Sequence, residues 1–129
     1  MNKIEKFEDI IAWQKARLLT SEIYKRIRTG AFGKDFGLKD QIQRASVSAI
    51  ANVAEGFERG GDREFIQVLS NSKGSCAEVK SHLYVALDQS YITPPDFEQL
   101  YGQASEVARL LAGFMIYLRE STLRGHKYR

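Results

Sequence analysis

The chain has 129 residues, 43% of them hydrophobic and 27% charged, with a net charge of +3 and a pI near 9.0. That length forms one domain with a core of its own, and the lone Cys76 excludes an internal disulfide. Residues 119–129 hold four basic residues and one acid, so the other residues balance at 15 and 15, which argues against a chain built to coat nucleic acid.

The spacing predicts a first helix over about residues 9–28. Ala12, Ala16, Leu19, Ile23 and Ile27 form its inner stripe. Asp9 lies near its start and Lys25, Arg26 and Arg28 near its end, where the helix dipole favours each charge. Gly30 and Gly33 then mark a short loop.

A second helix is predicted over about 38–58. Ile42, Ala45, Ala49, Val53 and Phe57 recur at steps of three or four and give its core face. Gln41, Arg44, Ser48, Asn52 and Glu55 recur at the same steps on another face, which mixes small residues with amides and ions. Two readings stand side by side: a binding surface, or a structural polar network in which Arg44 pairs with Glu78 of the next helix. The levels of the two residues match in antiparallel helices, and the structural reading is preferred.

Gly60-Gly61 breaks this helix, and Asp62 is placed as the N-cap of a third, over about 62–89. Phe65, Leu69, Ser72, Cys76, Val79, Leu83 and Leu87 make its core stripe. Gly74 inside it costs ~1 kcal/mol against alanine, which suggests close approach of a neighbouring helix there. Thr93-Pro94-Pro95-Asp96 starts a fourth helix over about 94–122, with threonine as cap and proline in the first turn. Phe97, Tyr101, Ala104, Ala108, Leu111, Met115 and Leu118 line its inner side. From Leu110 to Leu118 the pattern is apolar all round, so Leu110, Phe114, Ile116 and Tyr117 are candidates for contact with another copy of the chain. A basic tail, 123–129, follows.

No strand pattern or repeat occurs. Four helices with short connections fold as an all-α, antiparallel up-down-up-down four-helix bundle in a single domain, 1–129. The charged N-terminus does not read as a signal peptide, and Leu110–Leu118 is about half of the ~20 residues that span a bilayer. With a single free cysteine, a cytoplasmic location without membrane contact is expected.

Chemistry is scarce. Di-iron bundles need two Glu-x-x-His pairs, and the sequence has none. Cys76 and His82 stand about 600° apart around their helix and cannot act together. The glycine clusters do not match a phosphate loop. No enzyme, metal or cofactor is expected. The remaining signal is basic: Lys15, Arg17, Lys25, Arg26 and Arg28 on the first helix, and Arg124, Lys127 and Arg129 with Tyr128 in the tail, are candidate nucleic-acid contacts.

Phe7 to Ala16, Phe36 to Gly56, Arg63-Glu-Phe and Gly74-Ser-Cys-Ala-Glu78 together resemble the proteins encoded in intervening sequences of bacterial 23S ribosomal RNA genes. The likeness runs from Phe7 to about Leu118. It implies a left-handed bundle, a ring-like homopentamer and no catalytic activity. It further implies kinship with the accessory protein of diversity-generating retroelements, which works with a reverse transcriptase and binds nucleic acid. Trp13, Gln41, Arg44, Ser48, Asn52, Glu55, Gly56, Gly74, Ser75 and Glu78 carry the match. Function is therefore expected to be a non-catalytic oligomer that binds RNA or a ribonucleoprotein. The alternative is a protein-protein adaptor whose basic patches are incidental.

Overall fold

Two glycines, Gly60 and Gly61, are all that separates the second helix from the third in the computed structural model, which describes residues 3–123. The helices are α1 (Ile11–Ile27), α2 (Phe36–Arg59), α3 (Asp62–Asp88) and α4 (Pro94–Leu123), with 3-10 turns at Phe7–Asp9 and Phe32–Lys34. Each helix packs on the two beside it, α1 on α2 and α4, α3 on α2 and α4. Lys15 faces Glu106 while Arg26 reaches Asp96, so α1 and α4 run in opposite directions. The all-α four-helix bundle is the observed fold.

The helical stripes read from spacing are the core in α1 and α2 and most of it in α3, where Leu87 is half-buried; in α4 the buried face is turned slightly, with Leu100 and Val107 inside and the expected Tyr101 and Ala108 half-buried. Ala12, Ala16, Leu19, Ile23 and Ile27 of α1 are buried, as are Ile42, Ala45, Ala49, Val53 and Phe57 of α2. From α3 come Phe65, Leu69, Cys76, Val79 and Leu83, and from α4 Leu100, Ala104, Val107, Leu111 and Leu118. Each fully buried Leu or Ile side chain contributes roughly 1.5–3 kcal/mol. Small residues set the helix spacing: Ser72 Oγ donates to the Ala49 carbonyl across α2 and α3, and Thr20 Oγ1 to the Ser46 carbonyl across α1 and α2.

The termini depart from expectation in physically readable ways. Helix α1 begins at Ile11, because Asp9 ends a 3-10 turn and its carboxylate accepts from the backbone N–H of Glu5 and Lys6. The cap of α2 is Asp35, which accepts from Leu38 N at 3.1 Å. Asp62 is the first residue of α3 and Gly61 its N-cap, while Gly60 closes α2 in the left-handed region at φ 83°. Thr93 does cap α4, accepting from Asp96 N at 3.2 Å. At the end of α3, Ser90 takes φ 61°, and the N–H groups of Ser90 and Tyr91 reach back to Leu87 and Ala86 as a Schellman close.

Three packing expectations need correction. No atom of another helix lies within 4 Å of a Cβ placed on Gly74; the close approach is at Gly56, against Phe65 and Val68 of α3. Phe114 is not a surface residue but a core one, set edge-on to Phe65. Leu110 and Tyr117 are half-buried, leaving Ile116 as the exposed member of that group. The bundle covers more of α4 than its pattern suggested, because α1, α3 and buried Ile4 and Ile10 of the N-terminal segment join one core.

Candidate nucleic-acid interface

The five candidate cations of α1 separate into distinct environments. Arg26 is tied into the fold: it pairs with Glu22, reaches Asp96 at 3.2 Å and donates to Gln99 at 3.0 Å, and its side chain is only 18% exposed. It is withdrawn from the candidate contacts, since α4 supplies acids that helix spacing within α1 cannot reveal. Lys15 stands 3.9 Å from Glu106, also of α4. Lys25 meets Glu22 at 3.1 Å yet stays largely exposed. Bonds from Arg26 and Lys25 hold the Glu22 carboxyl below its usual range.

Arg17 and Arg28 are different. Both are exposed, and neither makes a salt bridge among the described residues. Arg17 lies over the Trp13 ring at 5.8 Å. Arg124, Lys127 and Arg129 fall outside the described residues.

Beside these cations α1 and α2 leave an open cleft of about 450 Å³, lined by Thr20, Ser21, Tyr24, Lys25, Arg28 and Val47. Thr20, Ser21, Tyr24, Lys25 and Arg28 follow one another at alternating steps of one and three and so form a continuous strip on α1. Val47 is 43% exposed. Four and eleven residues before it, Gln43 and Phe36 share its side of α2. Phe36 is the most exposed large apolar residue among those described, at 73%, with Lys39 Nζ 5.6 Å from its ring centre. Sequence patterning missed Phe36, which falls just ahead of the expected helix start.

The polar stripe of α2 is an outer surface. Gln41, Arg44, Ser48 and Glu55 are exposed and Asn52 is half-buried. Arg44 does not pair with Glu78: its Nε meets Asp40, one turn away, at 2.8 Å, and Glu78 is exposed. Glu55 likewise pairs within its own helix, with Arg59 at 2.9 Å. An i,i+4 partner needs no second helix to position it, which favours the local pair. Among the described residues, no side-chain hydrogen bond or salt bridge ties these residues into the bundle interior.

Among the described residues, no group of three or more His, Cys, Asp or Glu could hold a metal ion. Cys76 is buried in the core, and burial pushes its thiol up to about 11. No described helix is long and apolar enough to cross a membrane.

The 23S rRNA-intervening sequence protein model matches residues 8–113, most of the chain. The chain belongs to that family. A solved structure of a protein of unknown function from the S23 ribosomal protein family of Bacteroides thetaiotaomicron VPI-5482 is similar in fold. The two are 23% identical over 81% of this chain and 97% of that one, with a TM-score of 0.73. No curated protein matches the chain. The match to the 23S rRNA-intervening sequence protein model thus spans α1, α2, α3 and most of α4.

Proposed function

We propose that the protein is a non-catalytic, homo-oligomeric bundle that binds RNA or a ribonucleoprotein through the basic face of α1. The observation that carries this reading is placement: Arg17 and Arg28, neither met by a carboxylate among the described residues, share one face of α1 with Lys25, which lines the α1/α2 cleft with Arg28. On α2, Arg44 and Arg59 are instead met by carboxylates of their own or the next helix. Cations held out of ion pairs are available to displace counterions from a phosphate backbone.

Oligomerisation is supported by large apolar side chains left in water: Ile11 at 57%, Leu18 at 55% and Ile116 at 54% exposure, on α1 and α4. A ring of five copies is the form the family resemblance implies.

The test is a titration of RNA with the full chain at low and moderate salt, with light scattering for the assembly mass. Affinity that falls linearly in log salt and drops on Arg17→Ala with Arg28→Ala supports the reading. Absence of binding at low salt overturns it. A stable monomer at micromolar concentration overturns the oligomer. The adaptor reading has one observation in its favour, the amide and hydroxyl stripe Gln41, Ser48 and Asn52 on the outer side of α2, a surface suited to a protein partner. Co-purification with a polymerase without RNA binding would select it.

A further inference from the structure

We infer that the α1/α2 cleft, continued by Phe36, is a seat for single-stranded RNA in which Lys25 and Arg28 hold phosphate and Phe36 stacks a base. The inference rests on the RNA reading above and narrows it to one side of the bundle and one strand form.

Three independent observations converge there. The first is charge: Arg28 has no carboxylate partner among the described residues, and Lys25 shares Glu22 with Arg26. Asp40 lies on the adjoining face of α2, but Arg44 meets it at 2.8 Å, which limits its repulsion of an anion. The second is shape: the surface is concave there, an open cleft of about 450 Å³, and its lining places the hydroxyls of Thr20, Ser21 and Tyr24 beside the cations. The single hydroxyl proton of Thr20 is already shared between the Ala16 and Ser46 carbonyls. Ser21 and Tyr24 make no side-chain hydrogen bond among the described residues and are free to donate to phosphate oxygens.

The third is the aromatic. A phenylalanine left 73% exposed is costly in water, and Lys39 Nζ, 5.6 Å from its ring centre, covers only part of it. Thr20 bonds the Ser46 carbonyl, and the chain turns from Arg28 to Phe36 through one short loop, so the antiparallel register brings the start of α2 level with the end of α1. Phe36 therefore stands beyond the Arg28 end of the cleft. From Arg17 to Arg28 the cationic strip runs about 16 Å at 1.5 Å per residue. That is long enough for several nucleotides of an extended strand. A duplex presents its bases stacked inward and offers nothing for Phe36 to stack on, whereas a single strand does.

The experiment measures anisotropy of a labelled single-stranded RNA and of the blunt two-stranded duplex of the same sequence with the full chain across a salt series. Variants are Lys25→Ala with Arg28→Ala, Phe36→Ala, and Lys73→Ala as an exposed cation on α3. Removing the two cleft cations is expected to lower the log-log salt slope by about 1.4, near 0.7 for each phosphate that is no longer neutralised. Phe36→Ala is expected to weaken single-strand binding about tenfold while leaving that slope unchanged. Lys73→Ala should alter neither, and thermal melts confirm that all variants remain folded. If wild type binds RNA but the cleft variants bind as well as wild type, this site is wrong and the broader reading survives. A duplex preference, or equal losses from Lys73→Ala and the cleft pair, also overturns the site. Lack of wild-type binding at low salt overturns both.

Discussion

The α-carbon of Gly56 faces the ring of Phe65 so closely that an added Cβ would stand 2.5 Å from Phe65 Cδ1 and 3.3 Å from the Cβ of Val68. This is where α2 and α3 approach one another just before the Gly60-Gly61 turn. The ring has little room to yield, because Phe65 is fully buried and set edge-on to both Phe57 and Phe114. Overpacking of this kind costs ~1–3 kcal/mol, against a gain of ~1 kcal/mol for replacing a helix-interior glycine with alanine. Gly56→Ala is expected to destabilise by about 1 kcal/mol net. Gly74→Ala, with nothing within 4 Å of the new methyl, is expected to stabilise by about 1 kcal/mol. Urea unfolding midpoints that move in the same direction for the two variants would refute the packing account.

Those two glycines also show what the sequence could and could not reveal. Periodicity located the buried faces, because a buried helix stripe must repeat every three or four residues whatever its partners are. It could not say which neighbour occupies a given level. Gly56 and Gly74 are both helix-interior glycines near small residues, and only the three-dimensional register separates the tight contact from the open one. Arg44 illustrates the same limit. Glu78 lies at a matching level on α3, but Asp40 is one turn away on the same helix and takes the guanidinium. Arg26 is the converse: its acids at Glu22 and Asp96 combine a local partner with one 70 residues on. The candidate site was half legible. Its cations shared a face by spacing, whereas the cleft and Phe36 needed the second helix in place.

Arg26 and Arg44 should therefore respond differently to truncation. Arg26→Ala removes charge-assisted bonds that tie α1 to α4 near the Thr93 cap, from a side chain only 18% exposed. A loss of about 1–2 kcal/mol is expected, at the lower end of values for charged hydrogen bonds because water still reaches the site. Arg44→Ala breaks an exposed pair within one helix and should leave the unfolding midpoint unchanged. A double-mutant cycle extends the comparison: Arg26 with Asp96 should couple, and Arg44 with Glu78 should be additive. Coupling between Arg44 and Glu78 would restore the inter-helix pair that the structure replaces with Asp40.

Cys76 gives the fold a signature at alkaline pH. Its thiol is buried among core residues, and burial raises its pKa to about 11 from an ordinary 9.0, with Lys80 opposing the shift. Between those values the unfolded chain releases the thiol proton while the native protein keeps it. The native state then binds more protons, so stability falls as pH rises from about 9 to 11 and is unaffected by this group below that window. The loss is on the order of 2 kcal/mol at the upper end. Tyrosines and lysines titrate in the same range, so the quantity to measure is the difference between wild type and Cys76→Ala, whose stability should decline less steeply above pH 9. Alkylation gives an independent readout, because the thiolate is the reactive species. At pH 8 the native protein should resist iodoacetamide, and the urea-unfolded chain should react at the rate of a free cysteine. Rapid modification of the native protein at that pH would show that Cys76 is reachable, and the core assignment of α3 around it would have to be redrawn.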